Sequence, residues 1–493
     1  MAIEDTKSDS IARRIRENPA PAARWAAVMA VLVIVEFGAL WGGIMALPWD
    51  TPMGLLTGVL PGAIGGAVAG IASVFADAGA WLADLPTLLS REWIPNQGHR
   101  VPGGGWEGTF LGLEPAYAWV IRVAVVYAYA MFTFYWVWRG YMVFRRHYRY
   151  ADWTPADDMI DRFRGHNWGK FGLVLVMAFV VMAMFAPTIS PTTQEQNIMD
   201  PYSHNIEYYN DDAGQVMETS VGQANLLSSS KGVQRNFGLW SYDEYDRFHP
   251  TGTFTNGKDM FTLTAYGARI SLFIGVFASA LAGGIALSLA LLTAYYKGIV
   301  DLATVVASDA FMAMPRLLVL IMLVTVLADH WVANIYSGGF IIAFLFGIWG
   351  WMGLWRAVRG PAFQIVENEW VMASKGFGER PWRIVKKHVA PYVIGYLLIY
   401  LSMSLGGYII GAAGLAFLGL GVTAPTPEMG RLIAAGQSLV TTQSWHISII
   451  PGLMISALVL GFNALGDGIR DAIDPKTGGD DAAGEAAAAG GGG

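Results

Sequence analysis

The sequence predicts an all-α polytopic membrane protein, because of its composition and its long apolar stretches. Of its 493 residues, 54% are apolar and only 14% are charged, whereas soluble domains carry about 25% charged residues. Eight stretches are apolar over the roughly 20 residues that a helix needs to cross the hydrocarbon core of a bilayer. This composition excludes a soluble enzyme, a disordered regulator and a disulfide-stapled secreted module.

Charge and cysteine content exclude further classes of protein. The formal net charge is -6, so the chain offers no overall basic surface for nucleic acid. The absence of Cys removes thiol chemistry, iron–sulfur ligation and disulfide bonds. We therefore expect membrane lipid, and no nucleic acid, among the partners of this chain.

Eight apolar stretches are predicted to span the membrane, and a ninth has a different pattern. The eight predicted spans are residues 25–47, 117–138, 168–187, 270–296, 302–327, 340–355, 393–420 and 446–465. A ninth stretch, residues 54–75, carries Gly62, Gly66 and Gly70, a four-residue spacing that favours close helix packing.

The positions of Lys and Arg predict the orientation, because short cytoplasmic loops are enriched in both. Segments 1–24, 139–167 and 356–391 hold five, six and seven basic residues, and we expect all three in the cytoplasm. Two spans already separate the first two segments. Residues 54–75 are therefore expected to form a re-entrant or interfacial segment on the outer side rather than a crossing, and both termini are expected in the cytoplasm.

The largest predicted outer loop, residues 188–262, carries four basic against ten acidic residues. Its length and its aromatic content favour a small ordered cap over the helix bundle, with a mobile linker as the alternative. The Ala- and Gly-rich tail, residues 476–493, is expected to be disordered.

The sequence contains none of the motifs that mark a catalytic, nucleotide or metal site. It lacks a G-x-x-x-x-G-K-[ST] phosphate loop, an H-E-x-x-H zinc helix and a G-x-S-x-G elbow. Its eight His residues are scattered along the chain. We therefore predict no catalytic, cofactor-binding or metal-binding residue in this chain.

A few ionisable residues fall inside predicted spans, where each costs about 2.5–3.5 kcal/mol near a helix centre and usually marks a function. They are Glu36, Arg122, Asp309 and Arg316, the last two flanking Pro315. The last three spans contain no carboxylate, which disfavours proton or sodium coupling. For Glu36 we favour a helix–helix hydrogen bond over a proton site.

The most informative segment is the loop after Trp355. Stop and start signals at Gly376, Gly378, Pro381 and Pro391 predict two short helices. Helical spacing predicts an apolar face on each helix, formed by Val366, Trp370, Ala373 and Phe377 on the first and by Trp382, Val385 and Val389 on the second. The pair could pack against lipid headgroups or the bundle, or fit the groove of a cytoplasmic partner, and the residues alone favour neither.

The same loop resembles the cytoplasmic E-A-A-x-x-x-G signature of the permease subunits of ATP-binding-cassette importers. The similar residues run from Glu369 through Gly378 and from His388 to Pro391. Segments 185–191, 249–253, 267–272 and 415–422 narrow the resemblance to the dipeptide/oligopeptide/nickel family, and within it to the second permease subunit.

The resemblance implies a six-helix importer permease core at residues 162–475, with the outer loop 188–262 and a cytoplasmic coupling loop 356–392. Residues 1–161 are then an N-terminal extension with about two extra transmembrane helices and the re-entrant segment. The implied function is a multi-pass permease subunit, in the plasma or inner membrane, of an ATP-driven importer for peptides or similar small solutes. Its implied coupling-loop residues are Glu369, Trp370, Met372, Ala373, Ser374, Gly378, Trp382, His388 and Pro391.

The implied partners are a second permease subunit, two cytoplasmic ATPases that bind ATP and Mg, and an extracytoplasmic substrate-binding protein. Motion of the ATPases would drive alternating access through the coupling loop. The sequence departs from the signature at Met372, which replaces its Glu, and at Ser374, which replaces its second Ala. The alternative is a stand-alone ion-coupled carrier or channel.

Overall fold

The computed structural model describes residues 11–38, 87, 89–149, 153–230 and 237–473. The expected segment at residues 54–75 and the expected tail at residues 476–493 lie outside the described residues. Within them the chain is mainly helical, and its sheets are three two-stranded antiparallel hairpins. The prediction of an all-α polytopic membrane protein is confirmed.

The chain divides into two compact units, Met1–Trp153 and Thr154–Gly493. The first unit contains, in chain order, α1 (Ile11–Glu17), α2 (Pro19–Val35), β1 (His99–Arg100), β2 (Trp106–Glu107), a 3₁₀ turn (Phe110–Gly112) and α3 (Pro115–His147). Two indole rings fasten α2 to α3, because Trp25 Nε1 donates to Trp136 O at 2.9 Å and Trp136 Nε1 donates to Trp25 O at 3.1 Å. The carboxylate of Glu36 accepts from the backbone N–H of Leu89 at 2.9 Å, a contact with a loop residue rather than with a helix.

The second unit opens with helices and the polar segment. These are α4 (Pro155–Gly165), α5 (Asn167–Met184), α6 (Ala186–Ile189), a π-helical turn (Glu195–Met199), β3 (Asn205–Asn210), β4 (Gln215–Ser220), α7 (Val221–Leu227), β5 (Ser241–Tyr242) and β6 (Phe248–His249). The remaining elements are α8 (Met260–Tyr296), α9 (Gly298–Met312), α10 (Arg316–Val326), a 3₁₀ segment (Trp331–Gly338), α11 (Gly339–Val366), α12 (Glu369–Gly376), α13 (Pro381–Ile384), a second π-helical turn (Val385–Val389), α14 (Ala390–Phe417), α15 (Met429–Gly436), a 3₁₀ turn (Gln437–Leu439) and α16 (His446–Ile473).

The core of the second unit is centred on α8, which packs most extensively against α11. Small side chains at four-residue spacing form a fully buried stripe along α8, consisting of Ala278, Ala282, Ala286, Ala290 and Ala294. A stripe of this kind lets two helix backbones approach closely. Inside a bilayer the hydrophobic effect does not drive helices together, so the van der Waals contacts of this close approach stabilise the pair.

Six described helices are long and apolar enough to cross a membrane, or up to eight if each of two bent pairs forms one span. One bent pair is α1 with α2, at 101°, and the other is α9 with α10, at 81°. Residues 302–327, predicted as one span interrupted at Pro315, therefore form two helices. Pro315 has no N–H to donate and its ring disfavours a helical conformation in the residue before it, so the helix breaks there.

The polar segment at residues 188–262, hereafter the cap, is held by a buried charged cluster around His249. The Nδ1 atom of His249 lies 2.9 Å from Oδ2 of Asp259, and its Nε2 lies 3.3 Å from Oδ2 of Asp243. All three side chains are at most 1% exposed. Because both ring nitrogens face carboxylates, the imidazole satisfies both only as a cation that donates two hydrogen bonds.

This cluster fastens β6 of the cap to the first turn of α8. Asp259 caps α8, since its Oδ1 accepts from the backbone N–H of Thr262 at 2.7 Å. Arg247 Nε donates to Oδ2 of Asp243 at 2.7 Å, which gives that carboxylate a second cationic partner. The cap is thus tied to the helix on which the core depends.

The pKa values of the cluster reflect the same contacts. Burial lowers the pKa of His249, but hydrogen bonds from its ring to Asp243 and Asp259, together with their charges, outweigh burial and raise the pKa overall. Burial raises the pKa of Asp243, but the Arg247 charge and the bonds to His249 bring it below its usual range.

These shifts set the pH window in which the cluster stabilises the cap. Protonated His249 stabilises the fold fully below its unfolded pKa of about 6.5, and this contribution is lost as the pH rises through the raised folded pKa. Ionised Asp243 contributes above its unfolded pKa of about 3.9, and its contribution is lost as the pH falls through the lowered folded pKa.

Replacing His249 with Gln should lower the free energy of unfolding by about 3–5 kcal/mol near pH 6, because two buried carboxylates lose a cationic partner. The gap in unfolding temperature between wild type and H249Q should narrow from about pH 6 to about pH 9, as the wild-type imidazolium titrates. Scanning fluorimetry of the detergent-solubilised chain measures both, with the exposed His147→Gln as the control. A gap that stays constant over this range would contradict a doubly donating imidazolium.

Candidate functional site

The loop between α11 and α14, predicted at residues 356–392, is more helical than expected. Helix α11 continues to Val366 with Pro361 inside it, so residues 356–366 belong to the helix. The first predicted short helix is α12. The predicted second short helix is not separate, because α13 and the π-helical turn at Val385–Val389 lead directly into α14.

The predicted end of the loop at residue 392 is therefore wrong, and the reason lies in the π-helical turn. The backbone N–H of Ala390 donates to Val385 O, five residues back. This wider turn shifts the hydrogen-bond register by one residue immediately before Pro391, which has no N–H to donate. The result is one helical rod from Pro381 to Phe417.

Gly378 ends α12 in a Schellman motif. The N–H of Glu379 donates to Ser374 O at 3.2 Å, and the N–H of Gly378 donates to Lys375 O at 3.0 Å. Gly378 has φ +74°, and no atom lies within 4 Å of the position that a Cβ would take. Glycine is therefore required here for its left-handed backbone and not for lack of space.

The apolar side chains of the loop point in two directions. Val371, Ile384 and Val389 are fully buried, whereas the large side chains of Trp370, Met372, Phe377 and Trp382 are 40%, 56%, 90% and 72% exposed. We call these four exposed residues the apolar patch. It comes from both short helices and from the turn between them.

The apolar faces predicted from helical spacing are wrong in part. Val366 is buried but Trp370 and Phe377 are exposed, because α11 ends at Val366 and α12 starts in a new direction after Asn368. On the second helix, Val385 and Val389 are buried as predicted, while Trp382 is exposed in the first turn. Helical periodicity does not hold across a break in the helix.

Several contacts fix the loop against its neighbours. His388 Nε2 lies 3.2 Å from Oε2 of Glu379 and joins the turn to the start of the rod. The Trp370 ring packs against the rings of His388 and Tyr392, with centroids 5.9 and 5.5 Å apart. Ser374 Oγ donates to Trp370 O at 3.0 Å. These contacts fix the Trp370 ring and the backbone of the turn that carries Phe377.

The junction of α8 and α9 also touches the loop. Lys297 Nζ lies 2.8 Å from Oε1 of Glu367, and its hydrogen bond and charge lower the pKa of that carboxylate. Lys375 Nζ lies 4.6 Å from the centroid of the Tyr295 ring. Since α8 starts at the cap and ends beside the loop, the cap and the loop lie at opposite ends of α8.

The structure brings all nine predicted residues of the site onto this one loop and the start of α14. Glu369, Trp370, Met372, Ala373, Gly378, Trp382 and Pro391 are exposed, whereas Ser374 and His388 are half-buried. Sequence reasoning left Phe377 out of the site, although it is the most exposed residue of the patch. No local signal marked its direction, because helical periodicity does not extend across the break between α11 and α12.

The described parts of the chain hold no group of three or more His, Cys, Asp or Glu side chains arranged to bind a metal ion. What the loop offers chemically is therefore a shaped apolar surface beside basic side chains. Arg380, Arg383, Lys386 and Lys387 are all exposed next to the patch.

Two models of known protein families match segments of this chain, and one of these segments contains the loop. The family model for the binding-protein-dependent transport system inner membrane component matches residues 284–479. The model for the N-terminal TM domain of oligopeptide transport permease C matches residues 154–207. The second compact unit begins at that same residue, Thr154, whereas the sequence placed the boundary at residue 162.

Curated relatives agree with these models. The oligopeptide transport system permease protein OppC of Bacillus subtilis is 30% identical over 319 residues, which cover 65% of this chain and 89% of the relative. The dipeptide transport system permease protein DppC of Bacillus subtilis is 35% identical over 65% of this chain and 86% of the relative. The glutathione transport system permease protein GsiD of Escherichia coli is 30% identical over 66% of this chain and 92% of the relative.

Proposed function

This chain belongs to the family of binding-protein-dependent importer permeases, and on that premise we propose that it carries peptides or similar small solutes into the cell on ATP hydrolysed by partner subunits. The predicted family membership is confirmed, and the chain is a transporter permease subunit rather than a stand-alone carrier. The relatives are named for oligopeptides, dipeptides and glutathione, which supports peptides as the solute class.

We propose an assembly with a second permease subunit, two cytoplasmic ATPases that bind ATP and Mg, and an external substrate-binding protein. The basic segments at 1–24, 139–167 and 356–391 support an orientation with both termini and the loop in the cytoplasm and the cap outside. The proposed core consists of α5, α8, the α9–α10 pair, α11, α14 and α16. Residues 1–161 form a separate extension that contains α2 and α3.

The apolar patch is the observation that carries the proposal. Exposed Trp, Phe and Met side chains grouped on one short loop are typical anchors for a partner's groove. The Schellman turn at Gly378 and the Glu379–His388 contact hold the patch before any partner binds, so little conformational entropy is lost on docking. We therefore favour an ATPase groove over lipid headgroups as the surface that covers the patch.

The helical rod from Pro381 to Phe417 provides the mechanical link. It starts at Trp382 in the patch and continues without a break into the bundle, where α14 packs against α8, α11 and α16. A displacement of the patch by the ATPases is thus transmitted along the rod. A second link runs from α12 through Glu367 and Lys297 to the junction of α8 and α9.

Trp382→Ala should weaken docking of the ATPase subunit at least tenfold, because truncating an aromatic anchor costs about 2 kcal/mol or more. Trp370→Ala should act in the same direction. Both are exposed, so the fold should be retained. The measurement is the amount of ATPase that co-purifies with the chain, with the exposed Trp331→Ala as the matched control. Wild-type yields for both loop variants would remove the patch from the docking surface.

Gly378→Val should reduce the amount of solute taken up per ATP hydrolysed, because a β-branched residue resists the left-handed backbone by about 1–2 kcal/mol and the turn reorients. Insertion into the membrane should be unaffected. Gly376→Ala is the matched control, since Gly376 is helical with open space at its Cβ position and Ala there favours the helix. Unchanged coupling in the Val variant, measured in liposomes as uptake against hydrolysis, would contradict the proposal.

A further inference from the structure

A cavity of about 470 Å³ lies where α9 and α10 meet the middle of α11 and α14. Arg316, Tyr400, Ser404 and Tyr408 supply its polar groups. Met312, Met314 and Met352 supply much of its apolar lining. This volume falls within the range of pockets that take small ligands, and such pockets combine an apolar lining with a few polar groups that fix orientation.

Arg316 is the first residue of α10, in the bent pair of helices α9 and α10 that together are apolar enough to form a span, and it is exposed in this chain. Within the described residues it has no anionic partner. Its guanidinium carbon lies 5.2 Å from the centroid of the Phe346 ring. Two arginines of the neighbouring α11 differ in this respect, since Arg359 pairs with Asp301 and Arg356 pairs with Asp309. An arginine left without a carboxylate in this setting indicates a binding function, because charged groups inside spans are normally paired.

Tyr408 points a second donor at the same cavity. Its side chain is 95% buried, since only 5% is exposed, yet its hydroxyl has no hydrogen-bond partner in the part of the chain that the structure describes. The hydroxyl lies against the backbone of α11 at Gly350, where any Cβ would collide with it. Glycine at this position is therefore needed for the close approach that places the hydroxyl at the wall of the cavity.

We propose that Arg316 and Tyr408 form a carboxylate-binding site on the translocation path, which takes the C-terminal carboxylate of a peptide in transit. This inference rests on the proposed function, which makes peptides the solutes. A guanidinium binds a carboxylate through two parallel N–H donors, and a phenol supplies a third donor. Every linear peptide with a free C-terminus presents this group.

The rest of the lining fits a site that recognises the terminus and not the side chains. Methionine side chains adapt to ligands of different shape, because they are unbranched and polarizable. Gly353 and Gly407 leave open space at the wall. Tyr400, Ser404 and Tyr408 all lie on α14, so the proposed site is carried by the same rod that starts in the apolar patch.

The test compares uptake of two labelled probes, tri-alanine and tri-alanine amide, by liposomes that contain the assembled transporter. Each variant rate is divided by the wild-type rate for the same probe. This ratio cancels any preference of the external substrate-binding protein for one probe over the other. Arg316→Gln should reduce tri-alanine uptake about tenfold, the loss expected for a charge-assisted hydrogen bond, and should reduce amide uptake less than about twofold. Tyr408→Phe should act in the same direction but less strongly.

Arg470→Gln is the matched control, because Arg470 is an exposed arginine near the end of α16 that does not line the cavity, and it should leave both rates unchanged. An equal reduction of both probes by Arg316→Gln, or no reduction, would overturn the site while leaving the proposed function intact. Loss of the second permease subunit from the purified R316Q complex would also overturn it, since Arg316 would then pair with that subunit. If wild type takes up neither probe, the peptide assignment fails, and the site fails with it.

Discussion

The continuity of one helix is the constraint on which the other features depend. Between Pro381 and Phe417 the backbone passes a proline without a break, because the π-helical turn at Val385–Val389 shifts the hydrogen-bond register just before Pro391. An ordinary helix would kink at this position, and a kink absorbs motion. A single rod instead joins an exposed apolar turn to the wall of a cavity between the helices, and the proposed drive by partner subunits requires a connection of this kind.

Ion pairs join the other helices to each other and to the loop. Lys297 and Glu367 tie the loop to the end of α8, and Arg359 with Asp301 and Arg356 with Asp309 tie α9 to α11. At the other end of α8, the buried cluster around His249 fixes the cap. Helix α8 therefore carries an ionic contact at each end and a stripe of alanines between them. The pairs leave Arg316 without a carboxylate in the described chain.

Much of this arrangement could be predicted from the sequence, and the limits have physical causes. Apolar length located the six long helices α3, α5, α8, α11, α14 and α16, and glycine and proline signals located the turn at Gly378, because both depend on local chemistry. The direction of Trp370 and Phe377 was not predictable, since periodicity does not extend across the break after Val366. The partners of His249 were not predictable either, because Asp243 and Asp259 lie outside the helices and strands, in backbone whose contacts follow no repeat.

Glycines in α14 show the same limit within a regular element. Gly406, Gly407, Gly411 and Gly414 are small residues of the kind that allow close helix packing. In the structure Gly406 faces Val459 and Gly411 faces Phe346, whereas Gly407 and Gly414 have open space at the Cβ position. Composition identifies small residues, but only the three-dimensional arrangement separates those that pack against a helix from one that, like Gly407, lines a cavity.

The most direct measurement is site-specific cross-linking from the tip of the patch. A photoreactive amino acid at Phe377, which is 90% exposed, should yield a covalent adduct with an ATPase subunit when the assembled transporter is irradiated in its membrane. The same group at Trp331, outside the patch, should not. Adducts with lipid alone at position 377, or none, would contradict a patch that docks in a partner's groove.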